Sequence, residues 1–424
     1  MTAERRPTRG RYVAWFVGVM LVFSVGLLVN LPIPPQWEKW RCVHDVELGG
    51  PFRLVMICDS WLFMDLAHEP TRLLQPRNLR QSRPGIVFAA ALPAALLAIP
   101  FGENRFTSYA AYMIVHAAIM LACLWIFLAI VEPRVPGPAP AVVAASLLLL
   151  FNTVTRDFLL SPITCLLHLL APLFCLAVAR AAWTTDVLAT RRVFVLALLA
   201  GLGFSAYGSF VLFVPALLLP AAVRAWQRGA RVVPFVLRAG TVAVIVLAPI
   251  VSWYAFVFAW TGAVYNPELA VYRNWIWMAD AYPTQGAGAV ASKLWVLASI
   301  YARHFVGHAA PPVFIAAAVL LLARPPRARW IRAVLPELAL AALVSVLFAA
   351  FFITSNYIPP RTVYSATVPL VVVAGSLAAL VDRLEDDPRR RRLGWLVVAG
   401  TLVFGFMPVF WNVRAALLAG PGAW

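Results

Sequence analysis

Charge is scarce in this chain: only 12% of its 424 residues are charged, and Lys39 and Lys293 are its two lysines. With 62% hydrophobic residues and a mean hydropathy of +0.82, it lacks the polar surface that would clothe a soluble globule. Also missing are a Walker or Gly-rich phosphate loop and any His, Cys, Asp or Glu set at zinc-ligand spacing. Nucleotide-driven chemistry is therefore unsupported and no nucleotide cofactor is expected, while a divalent cation stays open. There is no internal repeat, no low-complexity tract and no linker that would set off a second soluble domain.

What remains is a series of apolar runs. They predict an all-α polytopic membrane protein, a single transmembrane domain over 1–424, with about eleven spans. The approximate cores are 12–31, 86–101, 108–130, 158–179, 193–206, 209–223, 239–260, 309–323, 333–354, 362–381 and 394–412. The first run lacks a small-residue cleavage site, so it reads as a retained span. The piece 193–223 is too long for one crossing and carries arginines at both ends, so it is folded in two about Tyr207 and Gly208. Residues 139–151 reach only roughly 20 Å as a helix, against roughly 30 Å of hydrocarbon. Either this segment or 86–101 fails to cross.

The net charge of +17 does not form one basic face. Arginines recur between the runs, at 5–11, 180–192, 224–238, 324–332 and 383–392, as cytoplasmic loops do. Nucleic acid is not an expected partner; membrane lipids are. With the N-terminus cytoplasmic in a cell membrane, the outer face receives 32–85, 152–157, 261–308, 355–361 and the tail.

One outer stretch runs against the trend. "CDSWLFMDLAHEPTRLLQPRNLRQSRPG", 58–85, packs Asp59, Asp65, Glu69 and His68 beside Arg72, Arg77, Arg80 and Arg83. Guanidinium forks match phosphate oxygens, so a lipid phosphate would balance them; internal pairing with Asp65 and Glu69 is the alternative. Asp59, at the edge of an apolar run, suits a general base, a metal ligand or a helix N-cap, with Asp45 and Asp65 as competitors. Cys123, Cys165 and Cys175 fall in apolar runs and read as buried thiols. Cys42 and Cys58 share the first outer loop, where an oxidising compartment would join them in a disulfide.

The second large outer loop alternates Tyr272, Trp275, Trp277 and Tyr282 with Arg273, Asn274 and Asp280. Such a mixture stacks on sugar faces and binds their hydroxyls, or forms an interfacial aromatic belt. After it, "KLWVLASIYARHFVGHA" reads as a helix lying in the interface.

Three short motifs occur in order on the outer side: Asp59-Ser60-Trp61-Leu62-Phe63-Met64-Asp65-Leu66-Ala67, then Arg156-Asp157 within "LLLLFNTVTRDFLLSPI", then Arg361 within "SNYIPPRTVYSATVP". Together with the topology they resemble the GT-C glycosyltransferases, multi-pass enzymes that use polyprenyl-phosphate sugars outside the membrane. The resemblance implies a membrane glycosyltransferase that moves a sugar from a polyprenyl-phosphate donor to an extracytoplasmic glycan, lipid or protein acceptor of the cell envelope. It implies Asp59 as base or metal-linked carboxylate, with Asp157 assisting and Asp65 as competitor. It also implies Arg361 with Arg77, Arg80 and Arg83 on the donor phosphate, and Tyr272, Trp275, Trp277, Asp280 and Tyr357 toward sugar or acceptor. Two features depart from that pattern: Asp59 lies far behind the first span, and no large C-terminal soluble domain follows. A transporter or flippase for a lipid-linked anion is the rival reading, for which ionisable residues at mid-depth are expected; His116 and His168 are the clearest such groups. A non-catalytic scaffold is a third.

Overall fold

The computed structural model describes residues 9–29, 43–49, 52–57, 59–131, 140–323, 327–384 and 388–419. Its elements are α1 (Arg9–Leu27), the strands β1 (Val43–Gly49) and β2 (Phe52–Ile57), α2 (Asp59–His68), α3 (Pro84–Phe101), α4 (Arg105–Val131), α5 (Pro140–Leu147), α6 (Thr153–Phe158), α7 (Leu167–Thr184), α8 (Arg192–Ala206), α9 (Phe213–Gln227), α10 (Val232–Thr261), α11 (Pro267–Ala270), α12 (Ile276–Leu322), α13 (Ala328–Thr354), α14 (Pro360–Leu384) and α15 (Pro388–Ala419).

Among the described residues nine helices have the length and apolarity of a membrane span, and two shorter apolar helices, Tyr12–Leu27 and Arg192–Ala206, complete the set. Each coincides with one of the eleven expected segments, so the chain is an all-α polytopic membrane protein. Apolar side chains such as Leu92, Ile99 and Val195 stand exposed on the outer faces of the helices, as bilayer-facing residues do.

The structure decides one alternative left open by the sequence and departs from the sequence reading at three other places. Residues 140–151 are buried throughout, and α5 with the turn after it is too short to span, whereas α3 has spanning length. The run expected at 158–179 is broken: α6 stops at Phe158, turns occupy 159–166, and α7 starts at Leu167. Pro162, in Ser161-Pro162, has no amide hydrogen to continue a helix there. The segment expected to lie in the interface is continuous with its span inside α12, whose one non-helical residue is Gly286, at φ 80°. Only glycine takes that conformation without strain. Finally, the first outer loop holds an antiparallel hairpin, β1 with β2. It is tied to the end of α1 by Arg53 N donating to Leu28 O at 2.7 Å.

Helix α14 is the axle of the bundle, its spanning window more buried than that of any other candidate span. Elsewhere α8 and α10 approach so closely that a Cβ on Gly201 would stand 2.7 Å from the Val246 carbonyl oxygen. Two ends result. At one, Arg224, Arg228, Arg231 and Arg238 gather with Asp186 around a shallow pocket. At the other converge the start of α3, the 159–166 turns, the α8–α9 junction, the loop after α10, and the α13–α14 turn.

Candidate functional site

Hydrogen bonds within the segment, and one from the loop after α10, decide which arginines of 72–83 face inward. Asn78 donates to Arg72 O at 2.9 Å and its Oδ1 accepts from Arg80 N at 2.8 Å. Buried Gln81 donates to Leu73 O at 2.9 Å and accepts from Tyr265 N at 2.7 Å. Arg77 turns the chain at φ 61°. The result leaves Arg72, paired with Glu69, and Arg77 exposed, and turns Arg80 and Arg83 into the protein. Of the pairings expected with Asp65 and Glu69, the one found is Arg72 with Glu69. Arg77 and Asp65 point outward and do not join the cluster.

The Arg80 side chain is 7% exposed, ion-paired with Asp59, and lies 4.9 Å over the Phe63 ring; the Asp59 side chain is 49% exposed. Asp59 opens α2, and its carboxylate serves this ion pair. The Arg80 Nε is buried and meets no acceptor among the described residues, so a donor remains for an anionic oxygen.

Arg83 is fastened on three sides: to Glu268 by an ion pair, to Thr164 Oγ1 at 3.2 Å, and across the Tyr207 ring at 5.3 Å. Burial works against its charge, yet Glu268, Tyr207 and Tyr357 hold the guanidinium protonated above its ordinary range. Glu268 is placed by Asn266, which caps α11 and accepts from Glu268 N at 3.0 Å. Asn274 Nδ2 adds 3.1 Å to the other carboxylate oxygen. Arg83, Tyr207, Glu268, Asn274, Trp275 and Tyr357 help line a cavity of about 470 Å³. The hydroxyls of Ser82 and Ser209, also on its wall, are buried without a hydrogen-bond partner among the described residues.

The third arginine comes from the α13–α14 turn. α13 ends at Ser355 and Asn356, the latter left-handed at φ 56°, as asparagine tolerates. Pro360 then begins α14 with a preset φ. Arg361 follows, hydrogen-bonded to the Tyr357 hydroxyl and 5.2 Å over the Phe158 ring. Phe158 belongs to α6, which Asn152 caps by accepting from Val154 N at 2.9 Å and Thr155 N at 3.1 Å. That cap orients Asp157, whose side chain is 10% exposed and accepts from Arg156 Nε at 2.7 Å.

Cys165, in the turns before α7, lies within electrostatic reach of several of these groups. Burial pushes its thiol up; Arg361 and Arg83 pull it down, and Asp59 and Asp157 push it up again. Four of the expected charges, Asp59, Arg83, Asp157 and Arg361, therefore act on one point. Tyr272, exposed, feels burial first and then Arg80, Asp59, Glu268 and Tyr357, with its phenol pushed up on balance.

The expected sugar-binding set divides. Trp275 and Tyr357 line the cavity, Trp275 at an unusual φ of 60° with Nε1 3.2 Å from Thr354 Oγ1. Trp277 is instead a buried anchor, donating to Thr354 O at 2.9 Å beneath Lys293. Asp280 forms an exposed pair with Arg273. Cys42, Cys58 and the Asp45 side chain lie outside the described residues. No group of three metal-ligating side chains occurs among the described residues.

Sequence reasoning missed Glu268 and Tyr207. Glu268 carried a signal, being one of two acids in 261–308. Tyr207 carried none beyond its place at the expected reversal. No protein family, curated protein or solved structure matches the chain.

Proposed function

We propose that the chain is a membrane-embedded glycosyltransferase that moves a sugar from a polyprenyl-phosphate donor to an extracytoplasmic acceptor. The observation that carries this reading is that Arg83, Arg361, Asp59 and Asp157 all act on Cys165, with Arg80 ion-paired to Asp59, beside a cavity walled by aromatic and hydroxyl groups. In this reading Arg83 and Arg361 hold the donor phosphate. The acceptor oxygen bonds to the anomeric carbon, the bond from that carbon to the phosphate oxygen breaks, and the acceptor's proton goes to Asp59. The leaving phosphate keeps the bonding electrons, and the arginines stabilise its growing charge. Ser82, Ser209, Asn274 and Trp275 offer the hydrogen bonds and aromatic face that a sugar ring uses.

The lipid half has a matching feature. An apolar groove of about 810 Å³ between α12 and α15, lined by Ala310, Phe314, Leu396 and Phe404, adjoins a cavity of about 360 Å³ that reaches Asn152, Arg156 and Tyr364. An isoprenoid chain in that groove would end beside α6, at Arg156, which pairs with Asp157.

The test is incubation of purified protein with a panel of polyprenyl-phosphate sugars, reading released polyprenyl phosphate. Release that depends on Asp59 and Arg361 supports the reading. Movement of intact donor across vesicles without release would overturn it in favour of a lipid-anion flippase.

A further inference from the structure

His168 is fully enclosed in α7 and uses both ring nitrogens. Its Nε2 is 2.9 Å from the Tyr207 hydroxyl, and its Nδ1 is 2.9 Å from the Ser365 hydroxyl on α14. Among the described residues neither hydroxyl has another hydrogen-bond partner. A neutral imidazole carries one N–H, so the three groups share their protons in one of two ways. If Nδ1–H donates to Ser365, Nε2 accepts the Tyr207 proton, and the Ser365 hydrogen is stranded at a residue with 0% exposure. If Ser365 donates to Nδ1, Nε2–H donates to the Tyr207 oxygen, and the hydrogen left over is the one on Tyr207.

The second arrangement costs less. A stranded donor in a dry core forfeits its desolvation energy, whereas Tyr207 lines the 470 Å³ cavity and Ser365 does not. Around Tyr207 stand Arg83, 5.3 Å over its ring, and Tyr357, Cys165 and Arg361, which act on its phenol. Burial, the leading influence there, pushes the phenol well above its ordinary range, so it keeps its proton.

We infer that Ser365 and His168 form a relay of hydrogen bonds that fixes Tyr207 as a donor to a phosphate oxygen held beside Arg83 and Arg361. Two guanidinium groups and a donating phenol make a site for the phosphate of a lipid monophosphate. This deepens the glycosyltransferase reading and rests on it for the choice of phosphate. Tyr207 would touch the leaving phosphate, while His168 and Ser365 position it. No proton is transferred: the phenol keeps its hydrogen as the bond to the anomeric carbon breaks and the electron pair stays with the phosphate.

The experiment uses the full chain in detergent, with farnesyl phosphate as probe and farnesol and inorganic phosphate as companions, by titration calorimetry. Tyr207→Phe is expected to weaken farnesyl phosphate about ten-fold, the scale of one hydrogen bond to a charged group, and to leave farnesol unchanged. His168→Leu should weaken it similarly, and His168→Gln, which restores a donor toward the Tyr207 oxygen, should recover most of the loss. Histidine-selective nitrogen NMR of the unmodified protein reads His168 directly, whatever the variants do to folding; the Nε2–H tautomer is expected. An Nδ1–H tautomer, unchanged affinity in Tyr207→Phe, failure of the Gln rescue, or absence of farnesyl phosphate binding would each overturn the inference. Tyr207-dependent binding without sugar transfer would leave it standing and remove the transferase reading instead.

Discussion

Arg83 and Glu268 form one ion pair although 185 positions separate them in the chain. The pair holds the loop after α10 against the start of α3, and so sets one wall of the cavity. Glu268→Gln would leave Arg83 enclosed with its opposite charge removed. The expected cost is roughly 2–3 kcal/mol of stability, seen as a lowered melting temperature, because an enclosed cation loses its counter-charge. Replacing Arg77, which faces outward, should leave the melting temperature within a degree or two.

Asp59→Asn is expected to keep donor binding and to lower turnover roughly 100-fold, the scale of lost general-base catalysis, with a lowered melting temperature because the buried Arg80 loses its counter-charge. Full turnover of purified Asp59→Asn would show that another group takes the proton. Arg80→Ala should cost more stability, since it also removes the guanidinium packed over Phe63.

Arg361→Ala should weaken donor binding and reduce turnover roughly 100-fold, because a phosphate contact present on binding strengthens as charge develops. Arg361→Lys should recover only part of this, as an ammonium lacks the fork that reaches both Tyr357 and a phosphate. Steady-state kinetics over a range of donor concentrations separates the two effects.

Gly307 and Gly400 line the α12–α15 groove, and a Cβ on either meets nothing within 4 Å. Gly307→Leu and Gly400→Leu would project an isobutyl group from these open positions into the groove. Turnover of a long-chain donor is expected to fall about ten-fold in each, while that of a donor cut to one or two isoprene units is unchanged. Equal turnover of long donors in all three proteins would place the chain elsewhere.

Sidedness is checked by cysteine labelling in intact cells. Thr71→Cys and Thr284→Cys, both exposed, should react with an impermeant reagent, and Arg228→Cys should not. Labelling of Arg228→Cys alone would invert the topology.

The spans were legible because hydropathy is a local property, and even the reversal at Tyr207 could be placed from the arginines on either side of 193–223. The break at 159–166 was not, since "FLLSPITCLLHLL" is apolar on both sides of Pro162 and reads as one run. The hairpin hid in a loop whose charges, at Asp45, Glu47 and Arg53, masked its alternation. Of the candidate site, the inward turn of Arg80 and Arg83 depends on Gln81 meeting Tyr265, a contact across 184 positions. No pattern within 58–85 distinguishes those two arginines from Arg72 and Arg77. Glu268 needed the same long-range closure before its carboxylate had a partner.

The loop that supplies Glu268 and Trp275 is fastened by Tyr265 to Gln81 at 2.7 Å and by Glu268 to Arg83, and at its end Trp277, in the first turn of α12, donates to the Thr354 carbonyl at 2.9 Å. The wall it makes is stiff, and the opposite wall is built from apolar helix residues such as Val211, Ile250 and Phe351. A substrate arriving along that apolar side is dissolved in a film, not in a volume. Its effective concentration is then a mole fraction among surrounding amphiphiles. Rates measured in micelles would fall on adding empty detergent at constant substrate, an example of surface dilution.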